Sequence, residues 1–420
     1  MTNDYSNEVF YQFWALQYST KELQEWLPFL NHQGYTAIYL TPIFLSSKHG
    51  YDTIDYQKVD PRFGTNEEFT EFVRSAHENN LKVVVDGVFN HVGRDFWAFR
   101  DVLEFGVNSQ YKNWFKGLEF EDKSNGVGLD PEGSSRYFPE DGLNYQGWEG
   151  NFDLVLLNHD CSELEDYLME TVHFWQDVFK IDGIRLDVAY SLPDNFLYLL
   201  RENYDGFLLG EQIHGDYNRL IGAGLDSVTD YNAYKATWSS LLDLNFFELN
   251  WTLEKHQEEY FGKNLLTFLD NHDTDRIASR YTLPNGEFDQ SMLRLAYALL
   301  FTIPGTPCVY YGAEIPALGV REDGAINADD QVRQKLTVPD SGSSLAQYIH
   351  YLINLKKNTP ALNQPEFETL YLRNKQYVFA RGRGSERKLF AINSDTEPAE
   401  IEVEGFSSSI TLNPRSFTAL

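Results

Sequence analysis

The chain has 420 residues, a formal net charge of −29, and 42% apolar and 15% aromatic residues, including 26 Tyr and 8 Trp. That length supports one large α/β domain plus a small second one, and the apolar content is too high for disorder. The acidic charge repels nucleic acid and anionic lipid, which excludes both as main partners, whereas many Tyr and Trp rings suit flat neutral ligands such as sugars. Only Cys161 and Cys308 occur, far apart in sequence and without a metal spacing, so a reducing compartment and no zinc site are expected. Met1–Ser6 carries neither a basic nor an apolar leader pattern, and no apolar run is long enough to span a bilayer; a soluble cytoplasmic protein is expected.

Taken in order, Val9–Trp14 reads as a short strand and Lys21–His32 as a helix, with Leu23, Trp26, Leu27 and Leu30 on one face. Ala37–Leu40 is a second strand, closed by Thr41-Pro42, and Glu67–Asn80 repeats the helical pattern. Leu81–Phe89 is almost wholly apolar, as a strand of a parallel sheet buried on both faces should be, and it exits into Asn90-His91. From residue 92 to 158 the periodicity fails, and this stretch reads as an inserted lobe. Alternation resumes with a helix at Glu163–Phe179, a strand around Arg185, a helix near Asn195–Glu202, and Phe207–Gly210 ending at Glu211. Ser227–Thr229, a long helical stretch through Tyr260, Leu265–Leu269, a helix at Met292–Phe301 and Pro307–Tyr311 complete eight strands. The pattern predicts a (β/α)8 TIM barrel over residues 1–91 and 159–358, interrupted by the lobe at 92–158 after strand three. Beyond Asn358-Thr359-Pro360, short runs at Tyr377–Ala380, Lys388–Asn393, Glu400–Glu404 and Ser409–Leu412 predict a small antiparallel β domain over 359–420.

Barrel active sites lie at the C-terminal ends of the strands. Four such ends carry polar clusters: Asn90-His91, Arg185 with Asp187, Glu211, and His272-Asp273. Arg185 and Asp187 share one strand face in an otherwise apolar run, and unpaired buried charge costs several kcal/mol, so they line a cavity or pair with each other. Three carboxylates with two His and one Arg suit glycoside cleavage, in which one carboxylate attacks and a protonated one donates. No Gly-rich phosphate or dinucleotide fingerprint is present, which removes kinase and dehydrogenase readings. Arg185 is expected to hold Asp187 ionised, while the apolar run before Glu211 is expected to raise that residue's pKa.

Asp86-Gly-Val-Phe-Asn90-His91, Gly183-Ile-Arg185-Leu-Asp187-Val-Ala189, Gly210-Glu211 and Phe268-Leu-Asp270-Asn271-His272-Asp273, with His49-Gly50-Tyr51-Asp52 upstream, resemble in content and order the motifs of the α-amylase family, glycoside hydrolase family 13. The resemblance covers residues 9 to about 355. It implies that Asp187 is the nucleophile, Glu211 the general acid/base and Asp273 the carboxylate that holds the distorted sugar. It further implies that Tyr51, Asp52, His91, Arg185 and His272 bind substrate. The expected partner is an oligosaccharide or α-glucan.

Asn90-His91-Val-Gly-Arg-Asp-Phe, Gln110–Phe115 and Asn144-Tyr-Gln-Gly-Trp148 are similar to the neopullulanase, cyclomaltodextrinase and maltogenic amylase branch. Those enzymes carry a domain before the barrel, often used for dimerisation, whereas the first strand here begins near Val9, so their dimer is not carried over and the oligomeric state is left open. The resemblance implies a retaining hydrolase of α-1,4 bonds in maltodextrins or cyclodextrins, with α-1,6 bonds left open. A transglycosylase using the same donors is the alternative, and a non-catalytic glucan-binding relative is disfavoured because all three carboxylates are present. Many α-amylases hold calcium through the motif's Asn and a His four residues after the nucleophile; that position is Ser191 here, so neither a metal nor another cofactor is expected to be obligatory. The Asp122–Asp130 turn lacks EF-hand spacing.

Overall fold

A computed structural model of the protein describes residues 5–120, 143–322, 328–403 and 409–420. Eight parallel strands form its centre: β1 (Phe10–Phe13), β2 (Ala37–Leu40), β3 (Lys82–Gly87), β4 (Gly183–Leu186), β5 (Phe207–Gly210), β6 (Ser227–Val228), β7 (Leu266–Phe268) and β8 (Thr306–Tyr310). They neighbour one another in chain order, β8 pairs with β1, and a parallel bridge between Thr229 and Leu266 joins β6 to β7, so the sheet closes. The fold is therefore an α/β (β/α)8 barrel. Every residue of β1, β2, β4, β5 and β8 is buried, because side chains on one face fill the barrel and those on the other meet the helices. Trp175 shows how the outer layer is fixed: its ring stacks on Phe44 at 4.2 Å between centroids, and its Nε1 donates to the Tyr56 carbonyl at 2.7 Å.

Two expected helices are broken. The Lys21–His32 pattern divides into Thr20–Gln24, opened by a Ser19–Glu22 capping box, and Leu27–Gln33. Pro28 lies in the first turn of the second helix, where its missing N–H costs nothing and its ring fits only a helix start. The stretch leading to Tyr260 divides into Tyr231–Leu242 and Phe247–Glu259, with Leu244 left-handed at φ 50° between them and the Asn245 side chain capping Phe247 N–H at 3.1 Å.

The lobe is more regular than its composition predicts. A helix at Trp97–Phe105 and a three-stranded sheet of His91–Gly93, Asn151–Leu156 and Gly147–Trp148 lie among its described residues. Gly93 sits where a Cβ would come within 2.6 Å of the Asp52 carbonyl, so the lobe's first strand reaches the 49–52 turn only because that side chain is absent. The Asp122–Asp130 turn lies outside the described residues. The C-terminal domain is a four-stranded antiparallel sheet of β9 (Phe367–Leu372), β10 (Gln376–Arg381), β11 (Lys388–Asn393) and β14 (Ser416–Ala419), with β12 (Ala399–Ile401) pairing β13 (Ile410–Leu412). The expected Glu400–Glu404 strand stops at Ile401, and β9 and β14, the edge strands of the larger sheet, are additions.

Candidate active site

Arg185 lies in β4 directly opposite Asp86 of β3, and its guanidinium is buried under three carboxylates. Nη1 is 2.8 Å from both Asp86 Oδ1 and Asp187 Oδ1, and Nη2 is 2.8 Å from Glu211 Oε1. The β4–β5 register pairs Leu186 with Gly210, so Asp187 and Glu211 follow as the next residues at matched height on adjacent strands. The chain turns sharply there. Val188 is left-handed at φ 41° and ψ 44°, a strained state for a β-branched residue, and its N–H donates to Glu211 Oε2 at 2.8 Å.

The electrostatics correct one expectation. Burial pushes Asp187 up to about 7 and Glu211 up to about 6, with Arg185 pulling each in the opposite direction. Asp86 is likewise raised, to about 6, by burial. Burial outweighs Arg185 at Asp187, whose guanidinium partner is also shared with Asp86 and Glu211. Asp187 and Glu211 therefore titrate as a pair that holds a proton near neutral pH.

Asp273 has the opposite environment. Burial acts to raise it, but His272, Arg333 and Arg185 together hold it well below the usual carboxylate range. Its carboxylate lies 3.0 Å from His272 Nε2 and 2.9 Å from Arg333 Nη2, with about a third of the side chain facing open space. His272 is oriented by Gln12, whose amide nitrogen is 2.9 Å from Nδ1, and by stacking against Trp14 and Tyr51. The Tyr51 hydroxyl lies 2.5 Å from His272 Nε2 and donates to Asp86 at 3.3 Å. His91 is pushed down to about 3 by burial and is neutral; its Nε2 has no hydrogen-bond partner, and its ring stacks on Trp148 of the lobe at 6.1 Å.

Asp187, Glu211, Asp273, Arg185, His272 and Tyr51 are thus joined in one network, with His91 against the lobe. Asp52, expected among the substrate-binding residues, stands one step back: its Oδ1 accepts the N–H groups of His49 and Gly50 at 3.0 and 3.1 Å, which holds the turn that presents Tyr51. Sequence reasoning missed Asp86 as a site residue, although its motif was noted. It also missed Arg333, which binds Asp273, Asp329 and the His272 carbonyl while lying 4.1 Å over Trp14, and Arg321, which donates to the Asp273 carbonyl at 2.6 Å. Their only signal was opposite charge four residues apart, Asp329 and Arg333, in a stretch without apolar period.

At the place where α-amylases hold calcium, Ser191 sits in a 3-10 turn and the Asn90 amide nitrogen faces His91 Nδ1 at 3.2 Å. Among the described residues no group of three or more His, Cys, Asp or Glu side chains is arranged to hold a metal.

The family described as alpha amylase, catalytic domain, matches residues 21–206 and 225–358, most of the chain. The protein belongs to the α-amylase family. Among curated proteins it is 30% identical over 396 residues to a cyclomaltodextrinase of Thermoanaerobacter pseudethanolicus, covering 90% of this chain and 64% of that one. It is 34% identical over 317 residues to neopullulanase 2 of Thermoactinomyces vulgaris, covering 70% and 49%. The chain thus spans about half to two thirds of the length of these family members. Among solved structures, the acarbose-soaked debranching enzyme of Nostoc punctiforme superposes with a TM-score of 0.83 at 29% identity, covering 100% of this chain and 99% of that one. No helix among the described residues is long and apolar enough to cross a membrane.

Proposed function

We propose that the protein is a retaining α-glycoside hydrolase that cleaves α-1,4 glucosidic bonds of maltodextrins, cyclodextrins or related α-glucans. The names of its relatives, cyclomaltodextrinase and neopullulanase, support the substrate class. The observation that carries the mechanism is the placement of Asp187 and Glu211 at matched height on adjacent strands, on the two nitrogens of one guanidinium. Neighbouring strands lie about 4.7–4.9 Å apart, which favours the roughly 5–5.5 Å carboxyl separation of retaining enzymes over the wider gap that admits a water.

In this reading Asp187 attacks the anomeric carbon and forms a glycosyl ester. Glu211 gives its proton to the departing glycosidic oxygen, then takes a proton from the water that releases the sugar. The first step needs one ionised and one protonated carboxyl; burial raises both groups, Asp187 more than Glu211, and attack proceeds from the form in which the proton stands on Glu211. Asp273, held ionised by Arg333 and His272, would accept hydroxyls of the distorted ring. His91 would donate through its unpartnered Nε2, and Tyr51 would offer its ring to the sugar's apolar face. A cytoplasmic setting belongs to the same proposal, supported by Cys161 and Cys308 being free buried thiols. Proton NMR of the first product from maltotriose, recorded before mutarotation, should show the α-anomer. A β-anomer would overturn the mechanism.

A further inference from the structure

A cleft of about 450 Å³ opens beside the Glu211 loop, between the helices Tyr231–Leu242 and Phe247–Glu259. Its walls include His214, Tyr231, Lys235, Glu248, Trp251 and Lys255. Trp251 is 62% exposed, although a lone indole on a helix ordinarily turns some of its area inward. Lys255, one turn on, places its Nζ 5.2 Å from the ring centroid and steadies the indole against the helix.

The charges around this ring are paired with one another. Lys235 bridges to Glu248 across the two helices, and Lys255 lies 3.5 Å from Glu259. A cleft built for phosphate or another anion would leave its cations unbalanced, whereas an aromatic face rimmed by balanced donors and acceptors suits a neutral polyol.

The cleft and the catalytic site share one wall residue, Tyr231. His214 lies three residues beyond Glu211. Tyr231 additionally lines a small space beneath the site with Arg185, Asn271 and His272. The Tyr231 hydroxyl accepts from Asn271 Nδ2 at 2.9 Å, while Asn271 Oδ1 accepts the Asp273 N–H at 2.9 Å. Glu211 protonates the departing oxygen in the proposed mechanism, so the leaving part of the chain lies on the Glu211 side, where this loop leads.

We infer that the cleft binds the leaving-group end of an α-glucan, with a glucosyl ring lying on Trp251. The inference rests on the hydrolase reading for its direction, but its test is separable from it. Trp251→Ala removes an exposed side chain and leaves the catalytic cluster untouched. It should raise KM for maltoheptaose about 3- to 10-fold, the range of one aromatic contact, with kcat little changed. For an activated aryl α-maltoside, whose leaving group ends at the first position past the scissile bond, both constants should stay at the wild-type value.

Binding of maltoheptaose to full-length Asp187→Asn protein, measured by calorimetry with and without Trp251→Ala, should show the same loss. Unchanged constants for maltoheptaose together with unchanged binding, or equal losses on the long and the short substrate, would overturn the inference. A protein that turns over neither substrate yet loses maltoheptaose affinity on Trp251→Ala would keep the cleft and overturn the hydrolase reading.

Discussion

At the scale of single residues the site is organised by a shortage of positive charge. Arg185 meets Asp86, Asp187 and Glu211, and all three carboxyls lie above their ordinary values because burial outweighs what one guanidinium supplies. A carboxyl whose pKa is raised on folding favours the folded state while protonated. Its contribution is complete below the unfolded value near 4 and is lost as pH climbs through the folded value. The cluster therefore destabilises the fold between about pH 4 and pH 7, and the neutral isostere at its most strongly raised member should relieve this. Asp187→Asn is expected to lower turnover by several orders of magnitude, since an amide cannot form the glycosyl ester. The same variant should stabilise the protein at pH 8 by an amount on the order of 2 kcal/mol, a gain that shrinks toward pH 4. Urea titrations at several pH values would show it; a gain independent of pH, or turnover above a tenth of wild type, would contradict the assignment. Asp273 runs the other way: its lowered pKa contributes stability that is lost as pH falls below the unfolded value, so the two trends oppose each other in the acid range.

At the scale of elements, the barrel strands were legible because each is a short buried run, and four of them end in a polar cluster whose carboxylates pointed to glycoside chemistry. What the sequence concealed depends on distant partners. Arg333 reaches Asp273 from the irregular segment after β8, where no periodicity points to it, and the raised pKa of Asp187 arises from burial that Arg185, shared across three strands, does not offset. The edge strands β9 and β14 are mostly half-buried, which weakens their alternation. The two helix breaks were readable in principle from Pro28 and from the Asp243–Asn245 turn, whose polar residues punctuate an otherwise continuous apolar pattern. The lobe gives a prediction at this scale. It is fastened to the barrel by hydrogen bonds from the Leu157 N–H to the Asn90 carbonyl at 3.1 Å and from the Trp97 indole N–H to the Tyr167 hydroxyl at 3.1 Å. Because those fastenings are protein–protein contacts, dialysis against EDTA should change Tm by less than about 2 °C, as expected when no tightly held ion is linked to folding. A larger shift restored by calcium would show that the lobe holds an ion after all.

At the scale of the whole molecule, the C-terminal sheet is joined to the barrel by buried polar contacts. Arg381 of β10 is almost fully buried, and burial lowers its pKa to about 9, with Glu366 acting against this. Its guanidinium donates to the carbonyls of Thr302, at the end of a barrel helix, and Gln364, both at 2.7 Å, and to those of Leu362 and Glu366 at 3.4 and 3.2 Å. Across the same boundary Tyr377 donates to Asn250 at 3.1 Å and stacks on Phe246, whose N–H donates to the Asn374 carbonyl. A buried cation held by four carbonyls is tolerable while both halves are folded, and separating them would leave those carbonyls without a donor and expose the aromatic contact. The two parts should therefore unfold as one unit, with a single calorimetric transition for the intact chain. Arg381→Ala should cost about 2–4 kcal/mol by removing one donor group from several buried acceptors. Since Arg381 lies at the opposite end of the barrel from Glu211, kcat on short substrates should be unchanged at temperatures where the variant stays folded. Two resolved transitions in the intact protein, or a substitution without effect on Tm, would mean that the C-terminal sheet is an independent passenger on the barrel.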